Sequence, residues 1–378
     1  MSEGSPTRAG RAGTRRTGTD RAGTNQAGAD QAGADHAEAD HAEADHAEAD
    51  HAEADGAAAS ADGERLGHGR SGRLTRRRVL GAGLGGLAAV TAAGAGVIEL
   101  AAHGVLPGRQ LVDRLDGACS VASPPLVFSA SGPSAAGTFY SRARRREVGY
   151  VIAWPPGHRP GAPLPLIVVL HPFGADHSRA LTGMSLPQAL ALRVNGRPLP
   201  PMAIAAADGG NGYWNPHPGD DPMGMVTGEL IPMCWRRGLG RHAIGTLGIS
   251  MGGYGAVLVA EKFPRLISAV AAIGPAIWTS YAQARAVNPG AYDSAAAFAA
   301  ADAVTHAPAL AGVAVRVACG ASDPVCPGAR ALARALPRGA VTDFSAGCHS
   351  YPFFTAQEPP SLAFLGAHLT AAADGKPL

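Results

Sequence analysis

The stretch Gly248-Ile249-Ser250-Met251-Gly252-Gly253 decides how the rest of this chain is read. It has the form G-x-S-x-G, with Ser250 at its centre. Before it, His242 to Ile249 is mostly small or β-branched and reads as a strand; after it, Tyr254 to Phe263 is apolar at helical spacing and reads as a helix. A serine on a tight strand-to-helix turn is lifted clear of the sheet edge and sits at a helix N-terminus. Side chains flanking such a turn would collide, and glycine at 248 and 252 removes them. Met251, the residue after the serine, then offers its amide to any charge developing beside the hydroxyl.

Working outward, the chain has 378 residues, of which about the first 105 do not look globular. What remains is long enough for one domain with a sizeable core. The formal charge is +2, from 32 Lys+Arg and 30 Asp+Glu, so nothing points to nucleic acid or an acidic partner. Residues 1–72 are of low complexity, with H-A-E-A-D repeated four times from His36 to Asp55. A period of five fits neither helix nor strand and buries too little surface to order itself, so this tail is expected to be disordered. Its histidines 36, 41, 46 and 51 read as an expanded repeat rather than as metal ligands. In residues 73–103, Arg76 and Arg77 precede a Gly/Ala-rich apolar run to about Ile98. This pattern resembles a twin-arginine signal, either cleaved or kept as a membrane anchor. Export to the envelope or beyond, with the export translocon as a partner, is the expectation. Residues 104–145 read as a connector and 146–373 as the catalytic domain.

Along that domain, strands are expected at Val148–Trp154, Leu164–Leu170, Met202–Ala207, Leu266–Ile273, Val313–Cys319 and Ala340–Ser345, besides the one leading to Ser250. Continuous apolar runs such as L-P-L-I-V-V-L mark strands buried on both faces. Helices are expected at Leu186–Val194, at Gly224–Arg237 with Pro232 dividing it, near Ser294–Ala301, at Gly328–Leu336 and at Ser361–Ala372. Residues 276–308 read as a small cap-like insertion. Strands and helices alternate throughout, which predicts an α/β fold with a mostly parallel sheet covered on both faces.

A serine needs a base to take its proton and an acid to orient that base. In an open α/β sheet both come from loops at the carboxyl ends of strands. Asp323 follows one predicted strand and His349 follows the last, giving the chain order Ser, Asp, His. Asp293, Asp302, Asp343, His306 and His368 fit less well by position. The second oxyanion donor should come from His171-Pro172-Phe173-Gly174. Pro172 has no N–H, so Phe173 is the expected donor, with Gly174 allowing close approach. The polar loop Asp208–Met223 faces the same edge, with Trp214 either a cleft wall or a packing residue. His217, Asp220 and Asp221 within it make a weak metal pattern, and no metal or cofactor is expected.

L-H-P-F-G (170–174), A-A-D-G-G then Y-W (206–214), G-I-S-M-G-G-Y-G (248–255), C-G-A-S-D-P (319–324) and G-C-H-S-Y-P-F-F (347–354) together resemble the α/β-hydrolase superfamily. More narrowly they resemble its group of esterase-D-type enzymes, feruloyl-esterase-like proteins and mycolyltransferases. The resemblance covers roughly residues 145–370. It implies a Ser250–His349–Asp323 triad and acyl transfer to water or to a sugar hydroxyl. It also implies substrate contacts from His171, Gly174 and Trp214. Where the family usually reads H-G-x-G, this chain has Pro172. The expected activity is therefore an exported serine esterase on a small-molecule or glycan ester. A mycolyltransferase-type acyltransferase is the first alternative, and a non-catalytic envelope binding protein the second. Of the five cysteines, Cys319–Cys348 is the favoured pair, with Cys319–Cys326 and Cys326–Cys348 as rivals and Cys234 a core residue.

Overall fold

A computed structural model describes residues 117–121 and 131–374. The tail, the signal or anchor segment and most of the connector lie outside the described residues. Among the described residues, no helix is long and apolar enough to cross a membrane.

Eight strands form one sheet. They are β1 (Ser134–Ser141), β2 (Arg146–Ala153), β3 (Leu166–Leu170), β6 (Ala203–Ala207), β7 (Ile244–Ile249), β8 (Ala269–Ile273), β9 (Ala314–Ala318) and β10 (Val341–Asp343). A two-stranded hairpin of β4 (Arg193–Val194) and β5 (Arg197–Pro198) stands apart. The order is β1-β2-β6-β3-β7-β8-β9-β10. β1 pairs with β2, and β2 with β6, antiparallel; every other neighbour in the sheet is parallel. The helices are α1 (His177–Thr182), α2 (Leu186–Ala189), α3 (Pro222–Met225), α4 (Ile231–Arg236), α5 (Met251–Lys262), α6 (Tyr281–Val287), α7 (Ala295–Ala300), α8 (Ala303–His306), α9 (Cys326–Ala335) and α10 (Tyr351–Ala373).

β3, β6, β7 and β8 are buried at every position. Strict alternation sorts their side chains onto two faces. Leu166, Val168 and Leu170 of β3 join Ala203 and Ala205 of β6 in a core shared with α3, α4, α5 and α9. Ile167, Val169, Ile204 and Ala206 face the opposite core, shared with α1, α2 and α10. Two covered faces explain why β3, β6 and β8 are apolar without a break, while β7 is interrupted by Thr246, whose hydroxyl donates to Ala256 O.

Three departures from the expectations, and one expectation that is met, have local causes. β1 lies within the stretch read as a connector, so the sheet begins at Ser134 rather than near residue 146. Its outer residues are largely exposed, as an edge strand allows, and so it carries little hydrophobic signal. Leu186–Val194 is not one helix: it stops at Ala189, and Asn195-Gly196, both at positive φ, turn the chain into the β4–β5 hairpin. Pro232 does divide its helix, through a π turn over Val226–Leu230 between α3 and α4. The terminal helix starts ten residues early, at Tyr351, and runs through Pro359-Pro360. Proline there removes backbone donors, and burial of Phe353, Phe354, Leu362 and Leu365 against the sheet outweighs that loss.

Candidate active site

The turn after β7 places Ser250 at φ 56° and ψ −119°, a left-handed region costing on the order of 1–3 kcal/mol for a residue with a side chain. The surroundings enforce it. The Ser250 amide donates to Ile273 O and its carbonyl accepts from Ala276 N. A methyl at Gly248 would lie 2.0 Å from Gly252 O, and one at Gly252 would lie 1.9 Å from Leu170 O. Glycine at both positions is therefore a steric requirement, and the close approach seats the start of α5 directly on the end of β3.

Two further loops reach this rim. The loop after β9 is stapled to the loop after β10, main chain to main chain: Cys319 N donates to Asp343 O, Ala321 N to Ser345 O and Ser322 N to Gly347 O. That register carries Asp323 to His349. His349 Nδ1 lies 2.7 Å from Asp323 Oδ2, and His349 Nε2 lies 2.9 Å from Ser250 Oγ. Asp323 is 3% exposed, and its other oxygen accepts from Val325 N at 2.9 Å. A buried carboxylate with both oxygens bonded holds one orientation, and so holds the imidazole with Nδ1 protonated and Nε2 facing the hydroxyl. The His349 ring stands edge-on to Phe354 at 5.0 Å.

Among the described residues, the Met251 and Phe173 amides have no hydrogen-bond partner. The Gly174 amide is taken by Asn211 Oδ1 at 2.8 Å, so Phe173 is the free donor of that loop. Gly174 itself is exposed at φ 74°. Asn211, in turn tied through its carbonyl to Asn288 of the insertion, was not singled out by sequence; an Asn-Gly pair in a polar loop is its only signal.

Two expected substrate contacts do not face any cleft. Trp214 is fully buried, with Nε1 donating to His171 O and its ring 4.9 Å from the imidazole. A methyl at Gly209 or Gly255 would lie 2.3 or 2.5 Å from that ring, so Trp214 fills the space between the end of β6 and α5. His171 is 1% exposed; its Nε2 accepts from Gly209 N and its Nδ1 donates to Pro172 O. Burial lowers its pKa, and the neutral ring positions the Phe173 loop rather than a ligand. The residues of the weak metal pattern are otherwise engaged. Asp220 binds Arg144 and Arg146, His217 binds Asp293, and Asp221 caps α3. Among the described residues no cluster of three metal-ligating side chains occurs.

The cysteine pairing also differs. Cys348 bonds to Cys119, across 229 residues, and not to Cys319. The loop register explains this, because Ser322, not Cys319, lies beside Gly347. Cys234, Cys319 and Cys326 are free and buried. Burial pushes the Cys234 thiol up to about 12. A cavity of about 540 Å³ lies at the other end of α5, around Leu258, Phe263 and Tyr292, and none of the three relay side chains lines it.

No family model matches the sequence, and no curated protein matches it. Solved structures do match the fold. A ferulic acid esterase is 16% identical over 64% of this chain and 100% of its own, with TM-score 0.55. An S-formylglutathione hydrolase from Agrobacterium tumefaciens is 18% identical over 66% of this chain and 99% of its own, with TM-score 0.52. MPT51 (FbpC1) of Mycobacterium tuberculosis is 16% identical over 63% of this chain and 100% of its own, with TM-score 0.50.

Proposed function

We propose, from the premise that this chain has the α/β-hydrolase fold, that it is a serine esterase working through an acyl-enzyme on Ser250. The observation that carries the reading is the unbroken chain Ser250 Oγ, His349 Nε2, His349 Nδ1, Asp323 Oδ2, with links of 2.9 and 2.7 Å. Ser250 Oγ attacks the ester carbonyl while His349 Nε2 takes its proton. Asp323 holds the ring and stabilises the imidazolium. The Met251 and Phe173 amides receive the oxyanion, each worth about 3 kcal/mol in the transition state. His349 then passes the proton to the departing alcohol, and the acyl group stays on Ser250. A water, deprotonated in turn by His349, releases the acid and restores the serine. Transfer to a sugar hydroxyl instead of water uses the same steps and is the acceptor alternative. Export through Arg76 and Arg77 is part of the reading, and the Cys119–Cys348 disulfide supports an oxidising destination.

The test is a panel of p-nitrophenyl esters and a fluorophosphonate probe on wild type and Ser250→Ala. Turnover and labelling in wild type, both lost in the variant, are expected. A wild type that neither cleaves any ester nor labels contradicts the proposal. Competition between water and trehalose as acceptors separates hydrolase from transferase.

A further inference from the structure

We infer that the alcohol portion of the substrate carries a carboxylate, received by Arg179 in a cleft beside His349. The inference rests on the esterase reading, in which His349 delivers a proton to the departing oxygen, so the alcohol must leave on the His349 side. The packing on that side links His349 to Tyr351 through a buried ring: Phe354 lies 5.0 Å from the His349 ring and 6.0 Å from that of Tyr351, which is two residues along the chain from His349. Tyr351 faces α1, where a methyl at Gly183 would lie 3.6 Å from its ring. Between α1 and the start of α10 runs an open cleft of about 410 Å³ lined by Arg179, Thr182, Gly183 and Tyr351.

The polar groups of this cleft are of one kind. The Arg179 guanidinium forms no hydrogen bond or ion pair among the described residues, and the Tyr351 hydroxyl forms no hydrogen bond. Thr182 Oγ1 spends its proton on Ser178 O. No carboxylate lines the cleft. The carboxylate nearest in sequence, Asp176, accepts from the Arg179 main-chain amide at 2.7 Å as the cap of α1. A planar fork of five N–H donors beside a phenol O–H, with the Asp176 carboxylate committed to the Arg179 main chain, suits a carboxylate held by two parallel hydrogen bonds. Tyr351 is 54% exposed and supplies an apolar face against which a ring or short chain can lie. Arg179 is thus a specificity residue: it touches the alcohol and takes no part in the proton transfers.

A matched pair of esters tests this: 4-acetoxybenzoate, whose leaving phenol is anionic, and its methyl ester, whose leaving phenol is neutral. Wild type should prefer the carboxylate ester in kcat/KM by about fivefold at low salt, as expected of an exposed ionic contact. Arg179→Gln should remove that preference through KM, leaving the neutral ester within about twofold of wild type, and salt near 1 M should remove it in wild type. Calorimetric titration of 4-hydroxybenzoate into Ser250→Ala reads the same contact without turnover. Binding that is weakened at least severalfold by adding Arg179→Gln supports the assignment; binding that is unchanged overturns it. Turnover of both esters with a ratio that Arg179→Gln does not move also overturns it, while sparing the esterase reading. Failure of wild type to cleave either ester counts against the esterase reading, and the titration still decides the cleft.

Discussion

Two carboxylate–imidazole pairs stand at the carboxyl edge of this sheet with the same separation. Asp323 Oδ2 lies 2.7 Å from His349 Nδ1, and Asp208 Oδ1 lies 2.7 Å from His177 Nδ1. What each imidazole meets on its far side differs. His349 Nε2 reaches Ser250 Oγ, whereas no hydroxyl bonds His177 Nε2 among the described residues. The carboxylates differ as well. Asp323 has its second oxygen on the nearby Val325 amide, with the buried Cys319 thiol also against the carboxyl group. Asp208 gathers the amides of Gly149 and His177 besides the ring, tying β2, β6 and the start of α1 together. Burial pushes the Asp208 carboxyl up, but the His177 and Gly149 hydrogen bonds more than offset this and hold it below its ordinary value. In the proposed reading the first pair moves a proton, and the second is a clamp. An acid–base pair becomes chemistry only where the fold also delivers a strained hydroxyl to it.

The comparison breaks most visibly under parallel substitutions. Asp323→Asn should lower kcat by about 10⁴, because the amide favours the wrong imidazole tautomer. Asp208→Asn should keep kcat within about tenfold and instead cost about 1–3 kcal/mol of stability. Ester kinetics and thermal melts on both variants separate the two roles; equal losses of activity would erase the distinction. Next in size, Phe173→Pro deletes one amide donor without touching the relay and should cost about 10²–10³ in kcat with fluorophosphonate labelling of Ser250 retained. A variant as active as wild type would remove Phe173 from the oxyanion site.

A smaller effect belongs to the strap on the His349 loop. Opening the Cys119–Cys348 bond by Cys119→Ser should lower stability by about 2–4 kcal/mol, read by chemical denaturation. Unchanged stability would make the bond incidental.

The smallest effect comes from a third carboxyl, nine residues beyond His349. Glu358 is fully buried on α10 with neither oxygen partnered, the opposite of Asp323, and burial pushes it up to about 8. Its pKa is raised on folding, so its favourable contribution is complete at acid pH, below the ordinary glutamate value. That contribution is lost as pH rises through about 8. Between pH 5 and pH 8 the melting temperature should therefore fall, and Glu358→Gln should flatten the slope. The gain at pH 8 should be on the order of 2 kcal/mol, limited because the amide also lacks a partner. A slope unchanged by the substitution would show that Glu358 is not its source.

The sequence announces what depends on local pattern. β3, β6 and β8 are legible because strands covered on both faces run apolar throughout, and β7 because its small and β-branched residues lead into the elbow. Ser250 is legible because a tight elbow demands glycine at 248 and 252, and Asp323 and His349 because each lies in a loop after a strand, although β10, before His349, is short and largely exposed. What stays hidden depends on partners distant in the chain. Cys119 sits 229 residues from Cys348 in a stretch with no pattern of its own. Trp214 and His171 look alike on paper whether they face a ligand or each other, and only packing against Gly209 and Gly255 decides it. The early start of α10 is masked by Pro359-Pro360, a local signal that tertiary burial overrides.

The central claim is that acyl groups pass through Ser250 with His349 as their proton carrier. Intact-mass measurement after mixing with a slowly released p-nitrophenyl ester, followed by peptide mapping, tests it most directly. One acyl group on Ser250, absent from both Ser250→Ala and His349→Ala, is the predicted result. Ester turnover with the acyl group on another residue, or persisting at full rate in His349→Ala, would contradict it.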